Sequence, residues 1–201
     1  DVSGAFFNSI EYQQTGFFVY RLNVASYGVF PDFGLFMIDK GAVADGVIVG
    51  QLGWEQRLVE NKNRFLQDWV QRSLFITLCG GTRSSSEFVD ILLNNTHIPF
   101  TSEYREGLIA DLDAKRKTQA DVLLEMVENA DFKRLEFNRA FVLMQYFGYL
   151  RRNPNDLPDS NFDGYYHWLN KLDQFNGNYI DAEMVKAFIK SPEYRSRFGA
   201  P

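Results

Sequence analysis

The seven residues FIKSPEY, at 188–194, constrain this chain more than any other feature, because stretches built on the same plan occur four times. The other copies are FFNSIEY at 6–12, WVQRSLF at 69–75 and MVENADF at 126–132. Each opens on two bulky apolar residues, passes through small or polar positions, and ends on an aromatic. The final aromatics, Tyr12, Phe75, Phe132 and Tyr194, stand 63, 57 and 62 residues apart. That recurrence predicts one helical unit copied about three times, each copy closed by such a segment.

The chain between these segments carries helical spacing. Phe18, Leu22 and Ala25 share one face, which the Gly28–Pro31 step ends. A long helix is predicted from Trp54 to about Phe75, with Trp54, Leu58, Phe65, Trp69 and Val70 inward. Ser84 to Glu87 and Thr118 to Asp121 both have capping-box spacing, in which a hydroxyl and a carboxylate satisfy the free N–H groups of a first turn. They open helices over Phe88–Leu93 and over Val122–Ala130, with another helix at 103–113 between them. Phe137, Ala140, Phe141, Met144 and Phe147 mark a long helix closing near Arg152. After the polar loop 153–164, a helix places Trp168, Leu169 and Leu172 inward. The turn at 176–178 leads to a last helix through Val185, Phe188 and Ile189, with Asp181 as its expected cap. The stretch 32–53, with five glycines around Val47, Ile48 and Val49, reads as a packed loop.

The fold class expected is all-α: about three tandem helical units in one continuous globular array. Residues 1–14 read as the closing helix of a preceding unit, and 15–80, 81–133 and 134–201 as the three units. Since a closing segment stands at the start, the chain is expected to begin partway through a unit of a longer precursor. Asp1 and the short apolar patch at 5–7 do not make a secretory leader.

Composition narrows the function. A hydrophobic share of 45% with 16% aromatics belongs to a folded protein. A net charge of −5, with Lys115-Arg116-Lys117 as the densest basic cluster, argues against nucleic acid, whose binders carry a basic face. No apolar run reaches the length of a membrane helix, so membrane insertion is not expected. Cys79 is the single cysteine, which excludes an internal disulfide and a cysteine-built zinc site. His97 and His167 lie in different units and form no metal cluster. No G-x-S-x-G elbow or phosphate-cradling glycine motif is present. Glu103, Glu106, Asp111 and Asp113 flank the apolar positions of a helix, as a solvated face would.

The sharpest motif is Asp159-Ser-Asn161-Phe-Asp163-Gly164, which fits the start of a calcium loop. Ca²⁺ takes several oxygen ligands, and a glycine at the sixth place permits the bend. Asp159, Asn161 and Asp163 would give side-chain oxygens and Tyr165 its carbonyl, but the twelfth position holds Asn170 rather than a bidentate glutamate. The alternative is a polar turn that caps the next helix. Beside this loop, Tyr165, Tyr166 and Trp168 are candidates for an aromatic surface presented to a glycan or a protein partner. The alternative for them is packing between helices.

The third unit, from FNRAFVLMQYFGYLRRNPNDLPDSNFDGYYHWLNKLDQFNG to AEMVKAFIKSPEYRSRFG, resembles the bacterial domain-of-unknown-function family 4214, which is related to the linker domain of phycobilisomes. The resemblance spans about 134–198 and continues more faintly over 84–133, while 1–76 resembles the unit that precedes such domains at the end of long exported proteins. It implies an all-helical module at the bacterial cell surface or outside the cell, concerned with attachment or assembly, and it implies no catalytic residues. The function expected is therefore a non-catalytic structural or interaction module. It would self-associate or bind other surface proteins, in a filament or a surface layer. A calcium-stabilised carbohydrate-binding module is the alternative, and an enzyme is not expected.

Overall fold

The computed structural model describes residues 9–198, and every regular element in that span is a helix. In chain order these are α1 (Ile10–Tyr27), α2 (Phe33–Ala44), α3 (Trp54–Val70), α4 (Ser73–Leu78), α5 (Ser85–Thr96), α6 (Ser102–Asp113) and α7 (Gln119–Val127). They continue with α8 (Ala130–Gln145), which widens into the π-helical turn Tyr146–Leu150, then α9 (Asp163–Gln174), α10 (Met184–Lys190) and α11 (Pro192–Phe198).

The molecule is built around α1. Phe17, Phe18, Val19, Tyr20, Leu22 and Ala25 are all buried, so the helix is enclosed on every side. It packs against α2, α4, α5, α7 and α8. A helix that is apolar all round is stable only inside such a shell. Gly28 ends it in the left-handed conformation (φ 68°), donating its N–H to the Val24 carbonyl at 2.8 Å. A Cβ there would stand 3.0 Å from Oδ1 of Asn95, whose Nδ2 donates to the Ala25 carbonyl, so strain and space both favour glycine.

Because α1 is central, the units do not stack in a line. Phe30, just past α1, packs on Tyr165 and Phe162 of the third unit, and Phe36 packs on Phe147. Asn153 accepts from the Phe33 N–H at 2.7 Å and donates to Asp32, so the start of α2 is tied to the loop after α8. The boundary expected after residue 14 is absent, since α1 runs through it. Residues 1–8, the rest of that expected closing helix, lie outside the described residues.

The recurring segments turn out to be junctions rather than the ends of closing helices. WVQRSLF joins α3 to α4, MVENADF joins α7 to α8, and FIKSPEY joins α10 to α11. In each the apolar pair occupies the last turn of one helix and the aromatic is the third residue of the next. The described part of the first copy obeys the same rule: Ser9 caps α1 and Tyr12 is its third residue. Ser9, Asn129 and Ser191 accept hydrogen bonds from the N–H groups of Tyr12, Phe132 and Tyr194. Arg72 stands at the cap position of α4 without a side-chain cap bond. Pro192 fits the first position of α11, where its missing N–H costs nothing. The repeat is therefore a capped helix–helix bend, with its aromatic buried or half-buried beneath the new helix.

Three further expectations are corrected. The stretch 32–53 contains α2, started by Asp32, whose carboxylate accepts from the N–H groups of Gly34 and Leu35. The long helix after Trp54 breaks at Gln71–Arg72 instead of reaching Phe75. Asp181 does not cap α10. Its N–H and that of Ile180 bond to Oδ1 of Asn178, while its own carboxylate accepts from the Asn178 amide. Both capping boxes, at Ser84–Glu87 and Thr118–Asp121, form as expected.

Candidate functional site

Asp159, the first residue of the loop read as a calcium site, is held by a guanidinium. Arg152 is only 7% exposed. Its Nη1 donates to the carbonyls of Asn153, Pro154 and Asp156, and its Nη2 to Asp159 at 2.7 Å. Nε and Nη2 form a two-pronged bond to Glu193 on α11. Burial alone would lower its pKa, but its hydrogen bonds to the Glu193 and Asp159 carboxylates outweigh this and hold the group above its ordinary value. Oxygens of the kind a hard cation needs thus surround a cation that the chain itself supplies.

The expected ligand set is not gathered at one point. Asp159 turns to Arg152, whereas Asn161 and Asp163 bond to one another, with the Asp163 N–H on Oδ1 of Asn161 and the Asn161 amide on Oδ2 of Asp163. That is a local polar turn at the start of α9, whose cap residue, Phe162, makes no side-chain cap bond. Tyr165 lies within α9, so its carbonyl belongs to the helical ladder. Among the described residues no group of three or more His, Cys, Asp or Glu side chains is placed to hold a metal ion.

The aromatic trio separates because neighbouring residues on a helix point about 100° apart. Tyr165 is wholly buried, against Phe30, and donates to the Arg139 carbonyl at 3.0 Å. Its place in a presented surface is therefore corrected: it is core. Tyr166 is exposed, and Trp168 is half-buried against Phe188 with the Lys171 ammonium over its ring.

A second polar group sits deep in the body. Glu136 of α8 is buried and accepts the hydroxyl hydrogen of Tyr20 at 2.6 Å. It borders an open cavity of about 300 Å³ together with Phe30, His97, Arg139, Phe162 and Tyr166. Burial pushes its carboxyl up, against the opposing effects of the Tyr20 bond and of Arg139, His97 and Arg21; Tyr165 also faces it. Between the unfolded and folded pKa values the folded chain holds more protons. The stability this group contributes is therefore complete below the unfolded value, about 4.3, and lost as pH rises through the folded one. Glu136→Gln keeps an acceptor for Tyr20, so the variant should melt above the parent at neutral pH. That gap should close as the pH falls towards 4, and melting curves over pH would check it.

The feature that sequence reasoning missed is the outer face of α2. Phe36, Asp39 and Val43 point inward, and Asp39 forms a two-pronged ion pair with Arg72 at 2.6 and 2.9 Å that fixes the helix against the bend between α3 and α4. The opposite side carries Leu35 (63% exposed), Met37, Ile38 (69% exposed), Gly41 and Ala42, with no charge among them. The following loop adds exposed Ile48, Val49 and Leu52. A signal was present: an Asp cap after Pro31, then inward residues at spacings of three and four.

No described helix is long and apolar enough to cross a membrane. No family model, no curated protein and no solved structure matches this chain.

Proposed function

We propose that this chain is a non-catalytic interaction module that pairs with a second copy of itself through the outer face of α2. What carries the reading is that uncharged face: a surface helix normally turns charged residues to water, and a contiguous apolar surface marks a place of association. The face is self-complementary. Leu35 and Gly41 lie equally far along the helix from Ile38, so a two-fold axis through Ile38 would set each Leu35 over the other copy's Gly41. Nothing lies within 4 Å of a Cβ placed on Gly41, which leaves a hollow for that side chain. Pairing of this kind is isologous, the commonest form among homo-oligomers. Since α2 is pinned by Asp39 to Arg72, the face is offered by a fixed helix and needs no rearrangement to bind. The cell-surface setting and attachment role implied by the family resemblance belong to the same proposal; a filament or surface layer would need a second contact, since this pairing closes on itself.

Light scattering coupled to size exclusion, across the micromolar range, tests it. The parent chain should run as a dimer or larger species. Ile38→Glu should run as a folded monomer, melting below the parent only by what pairing contributes at that concentration. A parent chain that stays monomeric throughout, or an Ile38→Glu variant that associates like the parent, would overturn the proposal.

A further inference from the structure

The cavity beside Glu136 shares no residue with the α2 face, and its chemistry points to a ligand of its own. Glu136 has two carboxylate oxygens with different surroundings. Oε2 is satisfied by Tyr20 at 2.6 Å. Among the described residues Oε1 meets Nη1 of Arg139 at 3.4 Å, which is long for a charge-assisted bond. A buried carboxylate and a partly exposed guanidinium therefore stand side by side at the cavity in a long, weak ion pair that a ligand can join. Phe30, Phe162 and Tyr166 supply an aromatic wall, and Phe162 meets both of the others, at 5.8 and 6.4 Å between ring centres. The volume, about 300 Å³, is at the small end of the range for small-molecule sites.

We infer that this cavity binds a free α-amino acid with an aromatic side chain, its ammonium on Oε1 of Glu136, its carboxylate on Arg139, and its ring against Phe30, Phe162 and Tyr166. A simple amine placed on Glu136 would lie beside the like charge of Arg139. A simple carboxylate placed on Arg139 would lie beside Glu136. A zwitterion completes an alternating square of charges in which every neighbour is opposite, and an α-amino acid carries its two charges on one carbon, at a separation comparable to that of Oε1 and Nη1. Aromatic walls favour an aromatic body through edge and face contacts.

Isothermal titration of the full chain with L-phenylalanine, phenethylamine and 3-phenylpropionate tests the inference. L-Phenylalanine should bind, and each analogue, lacking one charge, should bind at least tenfold more weakly. Glu136→Gln and Arg139→Gln should each weaken L-phenylalanine at least tenfold, with melting curves confirming that both variants fold. Tyr166→Ala, on an exposed side chain, should weaken L-phenylalanine more than L-alanine. Absence of heat with L-phenylalanine at millimolar concentration would overturn the inference. So would phenethylamine or 3-phenylpropionate binding as tightly as the amino acid, or both charge variants binding like the parent. Failure of this test leaves the pairing through α2 untouched, since light scattering reads that separately.

Discussion

Replacing Glu128 by alanine should cost about 3–5 kcal/mol of stability, the loss typical of removing one partner from a buried ion pair, and lower the melting temperature by roughly 10 °C for a chain of this size. Glu128, at the end of α7, is the shared anion of a buried network. Lys62 of α3, only 8% exposed, reaches it at 2.8 Å and also bonds Gln14 of α1. Lys133 of α8 contacts it as well. Arg21 of α1 lies at 4.0 Å and gives its Nε hydrogen to the Val127 carbonyl. Without Glu128, the buried Lys62 ammonium loses its carboxylate and Arg21 keeps only the influence of Glu136. Burial would raise the Glu128 pKa, yet Lys62, Lys133 and Arg21 outweigh it and hold the carboxyl below its ordinary range. Here the unfolded chain binds more protons, so this contribution is present above the unfolded value and lost as pH falls through the folded one, the reverse of Glu136. Adding Lys62→Met to the variant should recover part of the loss, because it removes one stranded cation. A double-mutant cycle on urea unfolding measures this; an Ala variant as stable as the parent would show that the network is idle.

Arg152→Ala should be comparably damaging, about 3–5 kcal/mol by the same reasoning, with its effect concentrated in one corner. It removes the donor to three carbonyls and two carboxylates that hold the loop 153–159 and α11 together. Amide hydrogen exchange should show lost protection over 153–161 and 192–198 before the rest of the body. The same variant bears on calcium. In the parent, Ca²⁺ and chelator should leave the melting temperature unchanged, because the guanidinium already sits among the oxygens. In Arg152→Ala those oxygens are left without a cation, and Ca²⁺ should restore part of the lost stability. A parent chain that melts higher with Ca²⁺, or a variant indifferent to it, would refute this view of the loop.

What could be read from the sequence follows physical range. The capping boxes were legible because both partners lie three residues apart, and the turn at Gly177 because its backbone conformation is a local matter. Helix α2 was not, since Gly34 and Gly41 read as breakers while its stability comes from Phe36, Asp39 and Val43 meeting distant partners. The loop at 159–164 was read as the start of a calcium site or as a polar turn; that Asp159 pairs with Arg152 depends on a cluster completed by Glu193, 41 residues beyond Arg152. The cavity at Glu136 could not be seen at all, since its walls come from residues 30, 97, 136, 139, 162 and 166. The recurring segments were found by pattern, but pattern could not say that they bend.

The enclosure of α1 has a consequence for how the chain is made. It leaves the ribosome before every helix it packs against, and Tyr20 meets Glu136 only after 116 more residues have been added. At ordinary rates of synthesis that is a delay on the order of ten seconds before α7 and α8 close over the helix, although α2 reaches another of its sides much sooner. The nascent chain passes this interval with part of α1 uncovered, so molecular chaperones would find a natural target there.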